Sequence, residues 1–247
     1  MDLKSTLLLV GASACSFRLL NSVVRLPPST VQPAPNKTWK WRNISTSLVH
    51  SLITGAGAVL CFHRHPHMVE DFICFYSPTS HGLVAVSTGY FIHDLLDMAL
   101  NQPLKRSWEL LLHHSVVISC FALAVTSRLY LGFAVVSLLV EINSVFLHIR
   151  QLMLLSGRRN RPDTGLRTPR PSLTYSVISW FNLGTFLLFR VCTLGWMTHW
   201  LAGHSEQMPR YVLMMGTAGL SLVSTMNMVL FYRLLRADVF TKASSDH

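Results

Sequence analysis

Residues 129–149 read LYLGFAVVSLLVEINSVFLHI, and the reading of that stretch decides the fold. It is 21 residues long and carries one formal charge, Glu141. A helix needs about 20 consecutive apolar residues to cross a bilayer. A barrel strand needs only about 10, with polarity alternating along it. The run is continuous, so it predicts a membrane-spanning helix. Working outward, six further stretches of the same kind lie at roughly 5–24, 44–62, 81–100, 110–127, 173–200 and 211–234. The expectation is therefore an all-α, multi-pass membrane bundle of six to seven transmembrane helices. Ser127 and Arg128 are nearly all that separates spans four and five, which predicts a tight hairpin.

Composition agrees. Half of the 247 residues are hydrophobic and only 13% are charged, about half the usual globular fraction. Five scattered cysteines with no C-x-x-C pair exclude a disulfide scaffold. A net charge of +10 would suggest nucleic acid in a soluble protein. Here the basic residues occupy the gaps between apolar runs, so no nucleic-acid partner is expected. Seven spans put Lys4, Arg64, Arg128 and Arg210 on one side, while fifteen lysines and arginines fall on the other. The positive-inside rule makes the second side cytosolic and the N-terminus lumenal or extracellular. The sequons Asn36-Lys37-Thr38 and Asn43-Ile44-Ser45 then lie unused in the cytosol. The organisation reads as a signal-anchor span and Pro-rich linker (1–35), a transmembrane domain (36–238) and a polar cytosolic tail (239–247). With a charged start and Ala12-Ser13-Ala14, the first span also has the outline of a cleaved signal peptide. The loops 25–43 and 156–171 are Pro- or Gly-rich. Trp39, Trp41, Trp196, Trp200 and Tyr232 read as interface anchors.

Ionisable groups inside spans are functional candidates by default. Span three carries Tyr90, His93, Asp94 and Asp97, with Tyr90 and Asp97 on one helical face together with His93 or Asp94. Span four opens with Trp108, Glu109, His113 and His114, Glu109 and His113 being four apart. Both sets lie at the cytosolic ends of adjacent antiparallel helices, so His, Asp, Glu and Tyr are brought to one depth. His113, His114 and Asp97 are candidate catalytic residues, and Tyr90, His93, Asp94 and Glu109 candidate substrate-binding residues. In span five Glu141 lies roughly 18 Å deep, and Arg190 in span six roughly 15 Å deep, which predicts a structural ion pair, bonded directly or through Asn143 or Asn182. His93, Asp97, His113 and His114 are ligand types for zinc or iron, but their spacing has no metal signature. No metal site and no cofactor are expected. His63-Arg64-His65-Pro66-His67 reads as a solvated loop.

The run Gly89-Tyr90-Phe91-Ile92-His93-Asp94-Leu95-Leu96-Asp97, then Trp108-Glu109 and His113-His114, then Leu138-Leu139-Val140-Glu141, resembles the TLC domain. Trp39-x-Trp41-Arg42-Asn43 and Arg233-Leu234-Leu235-Arg236-x-Asp238 extend the resemblance over about residues 36–238. It is nearer to the TLC domain-containing proteins than to ceramide synthases. One helix after their His-His pair, ceramide synthases carry His-Asp-x-x-Asp. This chain has Glu141-Ile142-Asn143-Ser144 there, and its own His93-Asp94-x-x-Asp97 precedes the pair. The resemblance implies control of phospholipid acyl composition and membrane fluidity at the plasma membrane, limiting incorporation of polyunsaturated chains. The alternatives it leaves are an acyl-CoA-dependent acyltransferase, a partner or chaperone of another membrane protein, and residence in the endoplasmic reticulum. Partners in either lipid reading are membrane phospholipids or acyl chains, with acyl-CoA in the second.

Overall fold

The computed structural model describes residues 2–24, 35–160 and 172–240. The Pro-rich linker, the middle of loop 156–171 and the tail beyond 240 lie outside the described residues. Seven helical segments are long and apolar enough to cross a membrane, as the apolar runs predict. The first four spans are α1 (Leu3–Val23), α2 (Pro35–Arg64), α3 (Pro78–Asn101) and α4 (Leu104–Ser127). The fifth is α5 (Leu131–Leu138) followed by α6 (Val140–Leu155), and the sixth is α7 (Leu173–Phe186), a π-turn (Leu187–Val191) and α8 (Cys192–Gly203). The last is α9 (Arg210–Leu235), closing in a π-turn at Arg236–Phe240.

Local signals set the helix starts. Ser77 caps α3 through Ser80 N–H, Ser80 Oγ returns the bond to Ser77 N–H, and Pro78 follows as the first helical residue. Ser172 caps α7 by accepting from Tyr175 N–H. The stretch 35–43, read from sequence as the end of a loop, is the first part of α2. Pro35 opens it, because proline's fixed φ and missing N–H suit a first helical turn. That shift moves Trp39 and Asn43 onto a helix face. The hairpin between α4 and α5 turns on Arg128 and Tyr130, both left-handed at φ 60° and 62°. Tyr130 N–H donates to Ile73 O at 2.6 Å, which fixes the turn against the 65–77 loop.

Span α3 is the most enclosed of the seven. It packs on α1, α2, α4 and α5. The α1 contact is close because of Gly89: a Cβ there would overlap the Val10 carbonyl oxygen and the Ser13 side chain. Ser13 Oγ donates to Val86 O at 2.7 Å across the same seam. With no water in the bilayer core, polar groups must find partners inside the bundle, and α1 supplies them to α3. At the end away from the basic loops, the 65–77 segment folds over the bundle. Met68 is fully buried there, and Phe72 meets the rings of Trp196 and Trp200 edge-on. Trp196 and Trp200 therefore do more than anchor the interface. At the basic end Arg150 grips Asp238 with Nε and Nη2, each at 2.8 Å, and Tyr175 OH donates to Asp238 at 2.9 Å. The end of the last span is thereby tied to α6 and α7.

The α1–α3 seam is testable by overpacking. Gly89→Leu is expected to cost about 1–3 kcal/mol and to lower the melting temperature of the detergent-solubilised protein. Gly82→Leu, where nothing lies within 4 Å of the added Cβ, serves as control and should melt like the parent. Equal melting of the two variants would show that α1 is not packed on α3.

Candidate functional site

The six ionisable groups of spans three and four separate into different settings. Asp94 is 5% exposed and receives Asn43 Nδ2 at 2.5 Å on one oxygen and faces His114 Nε2 at 3.1 Å with the other. His114 Nδ1 lies 2.7 Å from Leu110 O. Both ring nitrogens of His114 thus face oxygen acceptors. His114 acts as a base only by breaking one of these contacts, so with Asp94 and Asn43 it forms a fixed strut between α2, α3 and α4.

Asp97 forms a second strut. Its carboxylate accepts from Trp39 Nε1 at 2.8 Å, Arg18 Nη1 at 3.2 Å, and Asn21 and Asn101 Nδ2 at 3.3 Å each. It is 3% exposed and joins α1, α2 and α3. Trp39 is therefore a half-buried donor to Asp97, where the sequence suggested an interface anchor. Tyr90 OH donates to Ser47 Oγ at 2.8 Å, and its ring stacks on His50 at 3.7 Å. His93 is buried on α3. Glu109 lies exposed on the outside of α4 and does not join the cluster. The expected single pocket is not assembled from these residues: Asp94 and Asp97 spend their oxygens on the fold, and Glu109 faces away.

His113 has a different setting. It lines an elongated cavity of about 160 Å³ between α4, α5, α8 and α9. The walls are apolar: Phe91, Val116, Phe121, Leu138, Leu194, Met197, Leu220 and Val223 among them. Its lining follows α4 from His113 to Ala124, about 16 Å at 1.5 Å per residue. That matches half of a hydrocarbon core about 30 Å thick. Trp200, Phe133 and Tyr130 belong to the wall at the end away from the basic loops. His113 and Glu141 are the ionisable groups at the other end, and His113 Nδ1 has no hydrogen-bond partner. Glu141 accepts from Ser51 Oγ at 2.6 Å, which turns it toward α2. His50 Nε2 and His148 Nδ1 are also buried without a partner.

The expected Glu141–Arg190 ion pair is not a direct contact. Four ion pairs occur among the described residues, and none involves either side chain. The reason is the π-turn at Leu187–Val191, which adds a residue to the helical register and re-aims Arg190. Arg190 Nε donates to Asn143 Oδ1 at 2.7 Å, Nη1 to Asn227 Oδ1 at 2.7 Å and Nη2 to Ser144 Oγ at 2.8 Å. Asn143 in turn donates to Asn182 O at 2.8 Å. No group of three or more histidine, cysteine, aspartate or glutamate side chains is arranged for a metal among the described residues.

Sequence reasoning missed His50, Ser47, Ser51 and Asn227. A signal existed for the first three, because Ser47, His50, Ser51 and Thr54 recur at three- and four-residue steps on α2. Nothing in Leu187-Leu188-Phe189-Arg190-Val191 marks a π-turn.

The Asp97 strut predicts a folding role. Asp97→Ala leaves the buried Asn21 donor without an acceptor, at about 1–3 kcal/mol, and frees the half-buried Trp39 donor as well. Its melting temperature and expression should fall, whereas His113→Ala, which frees no bonded partner, should melt near the parent. A normally stable Asp97→Ala protein would contradict the strut.

Comparison with known proteins places this architecture. A family profile described as the TLC domain matches residues 40–236. The chain is 50% identical over 248 residues to a TLC domain-containing protein 2 of Danio rerio, covering 100% of this chain and 95% of that one. It is 43% identical to the Homo sapiens TLC domain-containing protein 2 over 94% of this chain and 84% of that one. To the Homo sapiens TLC domain-containing protein 1 it is 32% identical, over 94% and 89%. No solved structure matches. The chain belongs to the TLC domain family.

Proposed function

We propose that this TLC domain protein controls the acyl composition of membrane phospholipids, limits incorporation of polyunsaturated chains, and so keeps the membrane rigid. The supporting observation is the apolar cavity with His113 at its polar end. A lined slot about as long as half a hydrocarbon core suits one acyl chain. The unpartnered Nδ1 of His113 suits a polar group at the head of that chain, because a buried donor or acceptor without a partner is costly unless something fills the site. In this reading the fifteen-residue basic side faces the cytosol and the protein resides in the plasma membrane, N-terminus outside.

A second reading, acyl transfer from acyl-CoA, is favoured by one feature: His113 is free where His114 is tied. His113 then takes the proton of a lipid hydroxyl or amine. The oxygen or nitrogen attacks the thioester carbonyl, the C–S bond breaks, and the proton passes to the leaving thiolate. The cytosolic depth of His113 in the proposed topology suits a cytosolic acyl donor. In this reading neither Asp97, bonded to Arg18, Asn21, Trp39 and Asn101, nor Glu109, exposed on the outside of α4, orients His113.

The test is lipid mass spectrometry on cells lacking the endogenous protein, rescued with each variant and fed a polyunsaturated fatty acid. His113→Ala should be expressed normally and fail to restrain polyunsaturated phospholipids. Gly219→Leu should also fail, since its side chain enters the slot wall where a Cβ already meets Val116 Cγ1 at 3.2 Å. Full rescue by both would remove the cavity from the function. Acyl-CoA turnover by the purified protein, lost in His113→Ala, would select the second reading over a binder without turnover.

A further inference from the structure

Arg190 is a full positive charge whose bonded partners are all neutral. Asn143, Ser144 and Asn227 give it three oxygen acceptors. A guanidinium has five N–H donors and no acceptor, so two N–H groups remain beyond these bonds. Its position follows from helical arithmetic. The cavity wall on α6 includes Val140 and Glu141, and Ser144 lies one turn further along that helix. The wall on α9 ends at Val223, and Asn227 lies one turn beyond it. Arg190 bridges Ser144 and Asn227. It therefore sits about 6 Å past the polar end of the apolar slot, the end that His113 lines. Arg190 does not itself line the slot; it stands beyond the slot's polar end.

We infer that Arg190 is the residue that receives the head of the bound amphiphile, and that this head is anionic: a carboxylate or a phosphate at the end of a single acyl chain. The inference rests on the acyl-chain reading of the cavity. The physical reason is charge complementarity in a medium of low dielectric. Charge-assisted hydrogen bonds from a guanidinium to carboxylate or phosphate are its strongest and are often bidentate. A buried cation served only by amides and a hydroxyl gains most from such a partner. The π-turn is the local device that brings the guanidinium there, and π-turns inside helices recur at functional sites. Glu141 stands at the same end of the slot but is held toward Ser51. It opposes the anionic head and so moderates the affinity.

The experiment uses the full chain in detergent, with displacement of a fluorescent fatty acid by oleic acid, oleyl alcohol and 1-oleoyl-lysophosphatidic acid. The parent protein should prefer the acid to the alcohol by about tenfold or more, the scale of a hydrogen bond to a charged group. Whichever anionic probe binds tighter identifies the source, a free fatty acid or a lysophospholipid. Arg190→Gln should bring acid and alcohol to equal affinity, and Arg190→Lys, which keeps the charge but not the fork, should retain part of the preference. Glu141→Gln should tighten the acid and leave the alcohol unchanged, which a merely structural Arg190 would not produce, and it carries the test if Arg190→Gln fails to fold. Equal binding of acid and alcohol by the parent, or a preference unmoved in both Arg190→Gln and Glu141→Gln, would overturn the inference while leaving the acyl-chain cavity standing. Failure of all three probes to bind would overturn the acyl-chain reading itself.

Discussion

Every polar group inside a bilayer must be satisfied by the protein that carries it, and this constraint organises the whole bundle. The chain brings aspartates, several histidines, Glu141 and arginines such as Arg18 and Arg190 into its spans, and most are answered by donors and acceptors from other helices. Asp97 gathers donors from α1, α2 and α3, and Asp94 takes Asn43 and His114. These struts set where the helices sit. Because α3 is held on both sides, α4 is fixed in rotation, and His113, next to the bonded His114, faces the space between α4, α5 and α9.

What the struts leave over is informative. His113 Nδ1 has no partner, and Arg190 has only neutral ones. His113 lines one end of the apolar slot, and Arg190 stands about one helical turn beyond that end. Unpartnered histidine nitrogens occur elsewhere in the interior too, at His50 and His148, but a histidine at the end of an apolar slot with a guanidinium beyond it has the chemistry of a site for an amphiphile. In the proposed reading this arrangement separates residues that build the protein from residues that meet a ligand, a division that residue type alone does not reveal.

The architecture was legible in the sequence because span length and continuity are direct consequences of bilayer thickness. All seven apolar runs correspond to helices, although α2 begins nine residues before its run, at Pro35, and the Arg128 hairpin is as tight as its spacing suggested. The site was legible only in part. His113 could be singled out from the polar start of span four, but nothing in the spacing distinguished it from His114. That difference arises from α3 offering a carboxylate to one ring and none to the other. Asp97 looked like a working acid because its donors, Arg18, Asn21 and Trp39, lie far away in the chain, and helical periodicity reports neighbours on one helix only. Arg190 bonds Ser144, one turn along α6 from Glu141, but closeness along a helix axis does not fix rotation. The π-turn, which no glycine or proline announces, turned Arg190 toward asparagines instead.

The central claim, that the slot beside His113 holds an acyl chain, is tested most directly by photo-crosslinking. A fatty acid with a diazirine at its methyl end is incubated with the purified full chain, irradiated, and the labelled peptides are mapped by mass spectrometry. The account predicts label on residues that line the slot, such as Cys120, Leu123 and Ala124 of α4 and Met208 and Val212 beside α8, with loss of that label in Gly219→Leu. Label confined to outward-facing side chains such as Leu188, Met214 and Met228, unchanged in Gly219→Leu, would contradict it.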